Sequence, residues 1–154
     1  MADRILLDST YLLPTFGIEV KGLSDEDLQG MRELLLRGEA EFFCLSITWI
    51  ELIGKIHREA ERAGIDAMGR VEEAVKSLME GGYYQWIDPS AEDVIMAFKL
   101  RRLGHRDIID NLLYAASITR NMILLTMDRE LKEFLKKNGY KIDHLIDHKT
   151  LLRK

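Results

Sequence analysis

Apolar positions fall into short runs that alternate with longer stripes along the chain. Residues 4–7 (RILL) form a short apolar run that reads as a buried strand and stops at Asp8. Residues 24–38 (SDEDLQGMRELLLRG) place acids just after Ser24 and a Leu28/Met31/Leu34/Leu35 stripe at helical spacing, with Gly38 as the stop. A second strand is predicted over 41–45 (EFFCL), then helices over 48–63 and 66–80, stopped by Gly64 and by Gly81 with Gly82. Residues 83–87 (YYQWI) read as a third strand, and Asp88-Pro89-Ser90 turns into a helix over 90–103 that ends at Gly104. A helix over 108–120, an apolar strand over 122–126 (MILLT), a helix over 129–138 and a last strand over 141–146 complete the pattern. Strands alternating with helices predict a mostly parallel sheet covered on both faces. Ligands of such sheets bind outside the carboxyl ends of the strands.

Acids stand at those ends. Asp8 directly follows the first strand, and Asp128 stands two residues after the MILLT run. Asp110 lies in the first turn of the helix before that run, with Asp107 three residues earlier, and Glu51 lies in the first turn of the helix after EFFCL. Taken singly, each is better explained as a helix cap. Asp128 and Asp107 are placed as N-caps, and Thr48 with Glu51 has the spacing of a capping box. Asp8 fits that account less well, because it interrupts the apolar LLDSTYLL stretch, where a lone buried charge is costly. As a set, the carboxylates repel and raise one another's pKa unless a cation compensates. Oxygen-only ligands suit Mg²⁺ or Mn²⁺, and such ions activate water in phosphodiester cleavage.

Composition narrows this only partly. The 154 residues suit one domain over 1–154, and one cysteine, Cys44, excludes an intramolecular disulfide framework and a cysteine-built zinc ribbon. Asp3, Arg4 and Asp8 break up any signal-peptide core, and no stretch approaches a membrane span, so a cytoplasmic protein without a membrane partner is expected. The net charge of -4 argues against a nucleic-acid partner unless some acids exist to hold metal. Two divalent ions would cancel it.

The segments LLDSTYLLP, SITWIELIGKI, IIDNLLYAASI and ILLTMDRELKEF, in this order, resemble the PIN domain, the fold of VapC-type toxin ribonucleases. The resemblance spans Arg4 to about Ile146 and implies a three-layer α/β/α sandwich. It further implies that Asp8, Glu51, Asp110 and Asp128 are the catalytic, metal-binding acids of a Mg²⁺- or Mn²⁺-dependent ribonuclease, with Asp107 a further possible ligand. By the same resemblance Ser9 and Thr126 hold those acids in place, and the protein is a homodimer. Met127 departs from the basic residue common in the T-x-D motif, and Asn111 from a small residue after the third acid.

Arg101, Arg102, His105 and Arg106 precede the third motif and are weaker candidates for contacts to RNA phosphates, as are Lys55 and Arg58. Lys132, Lys136 and Lys137 read as a solvated face. Trp49, Tyr83, Tyr84 and Trp86 have the chemistry to stack bases, but their positions favour packing in the core or at a dimer interface. The leading functional expectation is a ribonuclease that acts as the toxin of a toxin–antitoxin pair, with a groove among the N-terminal helices receiving an amphipathic antitoxin helix. The alternative is a catalytically weak PIN-like module for RNA binding or scaffolding. An aspartyl phosphatase ranks last, since Thr10 occupies the position of its second aspartate.

Overall fold

A computed structural model describes residues 1–64, 66 and 68–153. Strands β1 (Asp3–Leu7), β2 (Ala40–Leu45), β3 (Tyr84–Ile87), β4 (Ile123–Leu125) and β5 (Leu145–Ile146) form one sheet in the order β3-β2-β1-β4-β5. Every neighbouring pair is parallel. Side chains alternate across the pleat. Ile5 and Leu7 of β1, with Phe42 and Cys44 of β2, enter one core, whereas Leu6, Phe43, Leu45 and Leu124 enter another. Both faces are therefore covered, as the near-continuous apolar runs require.

The first core packs beneath helices α1 (Asp25–Leu36), α2 (Thr48–Ala63) and α3 (Met68–Glu80). The second lies beneath α4 (Ala91–Leu103), α5 (Ile108–Thr119) and α6 (Arg129–Lys137). The result is the predicted three-layer α/β/α sandwich. Ser24 and Ser90 each close a capping box, with Asp27 and Asp93 respectively. Gly104 ends α4 with φ at 119°, a backbone conformation costly to a side chain, and so redirects the chain into α5. No helix among the described residues is long and apolar enough to cross a membrane.

Three stretches differ from expectation. Ser9–Phe16 forms a 3-10 helix that buries Tyr11, Leu12, Leu13 and Phe16, although Pro14 and the short repeat hide it from a 3.6-residue pattern. The last strand is only Leu145–Ile146, because the chain before it turns back through a bond from the Leu145 N–H to the Ile142 carbonyl (3.0 Å). A five-residue helix α7 (His148–Leu152) follows, too short to announce itself by periodicity. The helix expected over 66–80 begins at Met68, and its expected first turn includes Ala67, which lies outside the described residues.

Buried His148 ties α7 to the 3-10 helix. Its Nε2 faces the Gly22 carbonyl at 2.8 Å, which places the proton there and leaves Nδ1 to accept from the Tyr11 hydroxyl at 3.0 Å. The indoles of Trp49 and Trp86 stack on each other with centroids 5.2 Å apart, and Phe16 meets Trp49 edge-on. They are core packing, as their positions favoured.

Candidate active site

Strand order fixes where the acids meet. From β1 the chain builds outward through β2 and β3, then returns to the other side of β1 for β4 and β5. The switch point thus lies at the carboxyl ends of β1 and β4, the position at which open α/β sheets bind ligands. Asp8 leaves β1 there, while Thr126 and Asp128 leave β4. Glu51 reaches the same edge from the first turn of α2, and Asp110 from the first turn of α5. A cleft of about 340 Å³ is lined by Asp8, Thr10, Glu51, Lys55, Asp107, Asp110, Met127 and Asp128.

Five carboxylates and one ammonium therefore share this cleft, and it holds the chain's entire formal excess of -4. The modest net charge is one concentrated acidic site on an otherwise balanced molecule.

Each carboxylate is held differently. Asp8 Oδ1 accepts from the Thr10 N–H at 2.9 Å, and the Thr126 hydroxyl also bonds to this carboxylate. Burial nonetheless pushes the Asp8 pKa above the ordinary carboxylate value, against the lowering effects of Thr126, Thr10 and Lys55. The Thr126 oxygen in turn accepts from the Asp128 N–H at 3.1 Å, so one hydroxyl links the ends of two strand-borne acids. Glu51 accepts from the Ser9 hydroxyl and lies 3.0 Å from Lys55 Nζ, which donates to Ser9 at 2.9 Å. Asp128 caps α6 by accepting from the Leu131 N–H, and Asp107 caps α5 through the Asp110 N–H. Those two acids are caps, as their sequence positions suggest, and Asp8, which fitted that account less well, is also a cap, of the 3-10 helix; all three line the cleft.

The capping box read at Thr48 and Glu51 is absent. Ile47 occupies the N-cap position without a side-chain bond, and the Thr48 hydroxyl is buried without a partner among the described residues. Glu51 is consequently turned to the cleft and not to its own helix. Asp110 accepts from no backbone donor of this kind among the described residues. Desolvation, a bond to Asp128 and the charges of Asp107, Asp128 and Glu51 together push its pKa to about 9.

Among the described residues, no three ligand-type side chains converge as a ready cation cage. Caps and Lys55 hold several of them back. The donor set still fits a hard divalent ion, because Mg²⁺ takes one or two carboxylates and retains water in its other positions. Asp8, Asp110, Glu51 and Asp128 are the residues able to supply those oxygens, with Asp107 at the rim.

Of the weaker candidates, Lys55 lines the cleft and the others do not. Arg101, Arg102 and Arg106 are exposed around the end of α4 and do not line it. His105 is half-buried, with Nδ1 on Asn111 Oδ1 at 2.7 Å and its ring 5.0 Å from that of Phe134. Asn111, an unexpected residue after the third acid, is fully buried and returns a bond to the His105 carbonyl at 3.0 Å. Sequence reasoning overlooked Thr10 as a lining residue, and also the neighbouring cleft. That second cleft, about 650 Å³, shares Met127 and Asp128 with the first and is lined by Arg129, Lys132 and Lys149. Lys132 is exposed, as expected, and also lines this cleft. Only the short α7, unforeseen in the sequence, brings Lys149 beside it.

Comparison with known proteins agrees with this architecture. The PIN domain family model matches residues 5–137. No curated protein matches the sequence. Among solved structures, PAE2754 from Pyrobaculum aerophilum superposes with a TM-score of 0.62 at 18% identity, over 99% of this chain and 89% of that one. VapBC2 from Rickettsia felis, bound to a DNA fragment from its promoter, gives 0.58 at 16% identity over 93% and 96%. A toxin–antitoxin complex from Klebsiella pneumoniae gives 0.53 at 15% identity over 94% and 97%. At these identities the structures speak for the fold, and the family match covers most of the chain. The protein belongs to the PIN domain family.

Proposed function

We propose that this protein is a Mg²⁺- or Mn²⁺-dependent ribonuclease and the toxin of a toxin–antitoxin pair, acting in the cytoplasm. One observation carries the reading: acids from separate segments share a cleft at the switch point, where burial and the neighbouring carboxylates push the Asp110 pKa up to about 9. A bound divalent ion supplies a water of lowered pKa and positive charge against the phosphate oxygens. Asp8, Glu51, Asp110 and Asp128 hold it, with Asp107 assisting at the rim. Thr126 fixes Asp8 relative to Asp128, and Ser9 fixes Glu51, so that the carboxylates stay in place as substrate enters. Lys55, beside Glu51 and Ser9, offsets acidic charge next to the scissile phosphate. Arg101, Arg102, His105 and Arg106 are at most outer contacts to RNA.

Two partners follow from the same reading. The groove of about 330 Å³ lined by Leu28, Met31, Leu35 and Tyr84 suits an apolar helix face of an antitoxin, and two of the similar structures are toxin–antitoxin complexes. Val94, Ile95 and Phe98 of α4 are 55%, 57% and 62% exposed, an apolar stripe suited to a homodimer interface. Phe98→Lys is expected to convert a dimer to a monomer in light scattering.

The decisive experiment is cleavage of a mixed RNA panel with Mn²⁺, Mg²⁺ or EDTA, comparing wild type and Asp8→Asn. Metal-dependent cutting that disappears in the variant is expected; metal-independent cutting, or none in any condition, would sink the nuclease reading. One observation favours the alternative, a weakly catalytic RNA-binding or scaffold module. Lys55, 3.0 Å from Glu51, already offsets part of the cluster's charge.

A further inference from the structure

We infer that the cleft beyond Met127, between the carboxyl edge of β4–β5 and helices α6 and α7, is a subsite for the phosphodiester backbone of a single-stranded nucleic acid. It carries the strand away from the acidic cleft, with Arg129, Lys132 and Lys149 as its phosphate contacts. This inference rests on the nuclease reading and adds to it the path of the substrate.

Continuity comes first. Met127 and Asp128 line both clefts, so a strand whose scissile phosphate sits over the acids has an adjoining channel of about 650 Å³ for its neighbouring nucleotides. The cations come from two different elements, Arg129 and Lys132 from the start of α6 and Lys149 from α7, and they face one space. None of the three has an ion-pair partner among the described residues.

Formal charge in the channel balances, since Asp128, Asp143 and Asp147 also line it. The acids are engaged, however. Asp128 accepts from the Leu131 N–H, Asp147 caps α7 through the Thr150 N–H at 2.9 Å, and Asp143 lies 3.9 Å from Lys141. The channel's cationic donors are the chemistry that positions phosphates without reading bases. The acidic cleft alone would repel a polyanion. The neighbouring cations Arg129, Lys132 and Lys149 give the strand attachment beside the repulsive site.

The test uses the full chain in EDTA, with Asp8→Asn to prevent cutting, and labelled single-stranded RNA 12-mers of mixed sequence. Affinity is followed by fluorescence anisotropy across a salt series. Replacing Arg129, Lys132 and Lys149 together by Ala is expected to reduce the slope of log K against log salt by about 2, because each phosphate of a single strand that a cation neutralises accounts for roughly 0.7 of it. A charge-matched control, Lys99, Lys136 and Lys137 to Ala, is expected to leave the slope in place. With Asp8 restored and Mn²⁺ present, the Arg129/Lys132/Lys149 variant is expected to raise KM severalfold with little change in kcat.

An unchanged slope in a chain that cuts RNA overturns the subsite and spares the nuclease reading. An equal loss in the control overturns it as general charge attraction. A wild type that neither binds nor cuts RNA overturns both. DNA of the same sequence is expected to weaken in parallel, and a loss confined to RNA would overturn the assignment to backbone phosphates.

Discussion

Asp93 and Asp110 occupy the same local position, the first turn of adjacent helices, and have opposite electrostatic fates. Asp93 is fully buried, yet it is held ionised. Desolvation alone would raise its pKa, but the Ser90 N–H, the Thr119 hydroxyl at 2.6 Å and Arg120 at 2.7 Å outweigh it and hold the carboxyl below its usual range. Asp110 is less deeply placed, but its neighbours are Asp107, Asp128 and Glu51, and its pKa rises to about 9. Burial is thus a poor guide to which acid is functional. The informative feature is whether the protein itself supplies the countercharge. At the start of α4 it does, and the acid is architecture. At the start of α5 it does not, and on the proposed reading the missing charge is supplied by a metal ion.

The comparison breaks most visibly at Asp93. Replacing it by Ala removes a cap and leaves Arg120, whose side chain is 21% exposed, without its carboxylate. We expect a loss of about 3–5 kcal/mol, or roughly 10 °C in melting temperature for a chain of this size, with metal binding unchanged. Because the folded pKa of Asp93 is depressed, its contribution is fully present above the unfolded value near 3.9 and is lost as pH falls through the folded value. Denaturant unfolding of wild type and variant should therefore converge in acid. A constant gap from pH 7 to pH 3 would show that the ion pair is not the source.

The acidic cleft should behave in the opposite way. Mn²⁺ at a hundredfold excess over its dissociation constant is expected to stabilise the fold by about 2.7 kcal/mol, roughly 5–10 °C, and Asp8→Asn to remove most of that gain. A melting series with Mn²⁺, Mg²⁺ and Ca²⁺ checks it. No shift with any of them would mean that the cluster does not assemble a cation site. Thr126→Val keeps the shape but removes the hydroxyl joining Asp8 to the Asp128 N–H. It should cost about 1–2 kcal/mol of metal-free stability and about tenfold in metal affinity, measured by denaturation and calorimetric titration.

Sequence reading reached the sheet, six of the helices and the acid cluster because each leaves a local signal. Apolar runs such as 42–45 mark strands buried on both faces, and Ser24 or Ser90 before acids marks a helix start. Order and spacing of the four acidic segments did the rest. What stayed hidden depends on contacts between segments distant in the chain. Glu51 has capping-box spacing, but Ile47 and not Thr48 opens α2, and Ser9, 42 residues away, receives the carboxylate instead. His105 looks like part of a basic patch until Asn111 and Phe134 close around it. Lys132 is solvated as its position suggests, but that it shares a cleft with Lys149 depends on a five-residue helix the sequence does not announce. Side-chain destinations of this kind have no periodicity to read.

The smallest expected effect sharpens the contrast most directly. The pKa of Asp110 is raised from the unfolded 3.8 to about 9, so across that window the folded chain binds more protons than the unfolded one. Stability of the metal-free protein must then fall as pH rises between those values, the reverse of the Asp93 behaviour. Asp8, also raised, contributes in the same direction. Asp110→Asn keeps the size and removes the titration, so it should flatten the slope without abolishing it, and the metal-free variant should gain on wild type steadily as pH rises from 4.5 to 8. With Mn²⁺ the wild-type trend should reverse, because the ion must displace the proton and binds more tightly as pH rises. Denaturant unfolding at four pH values, in EDTA and in Mn²⁺, reads both trends. If wild type and Asp110→Asn keep parallel profiles in EDTA, Asp110 is ionised without a cation, and the proposed difference between the two helix starts disappears.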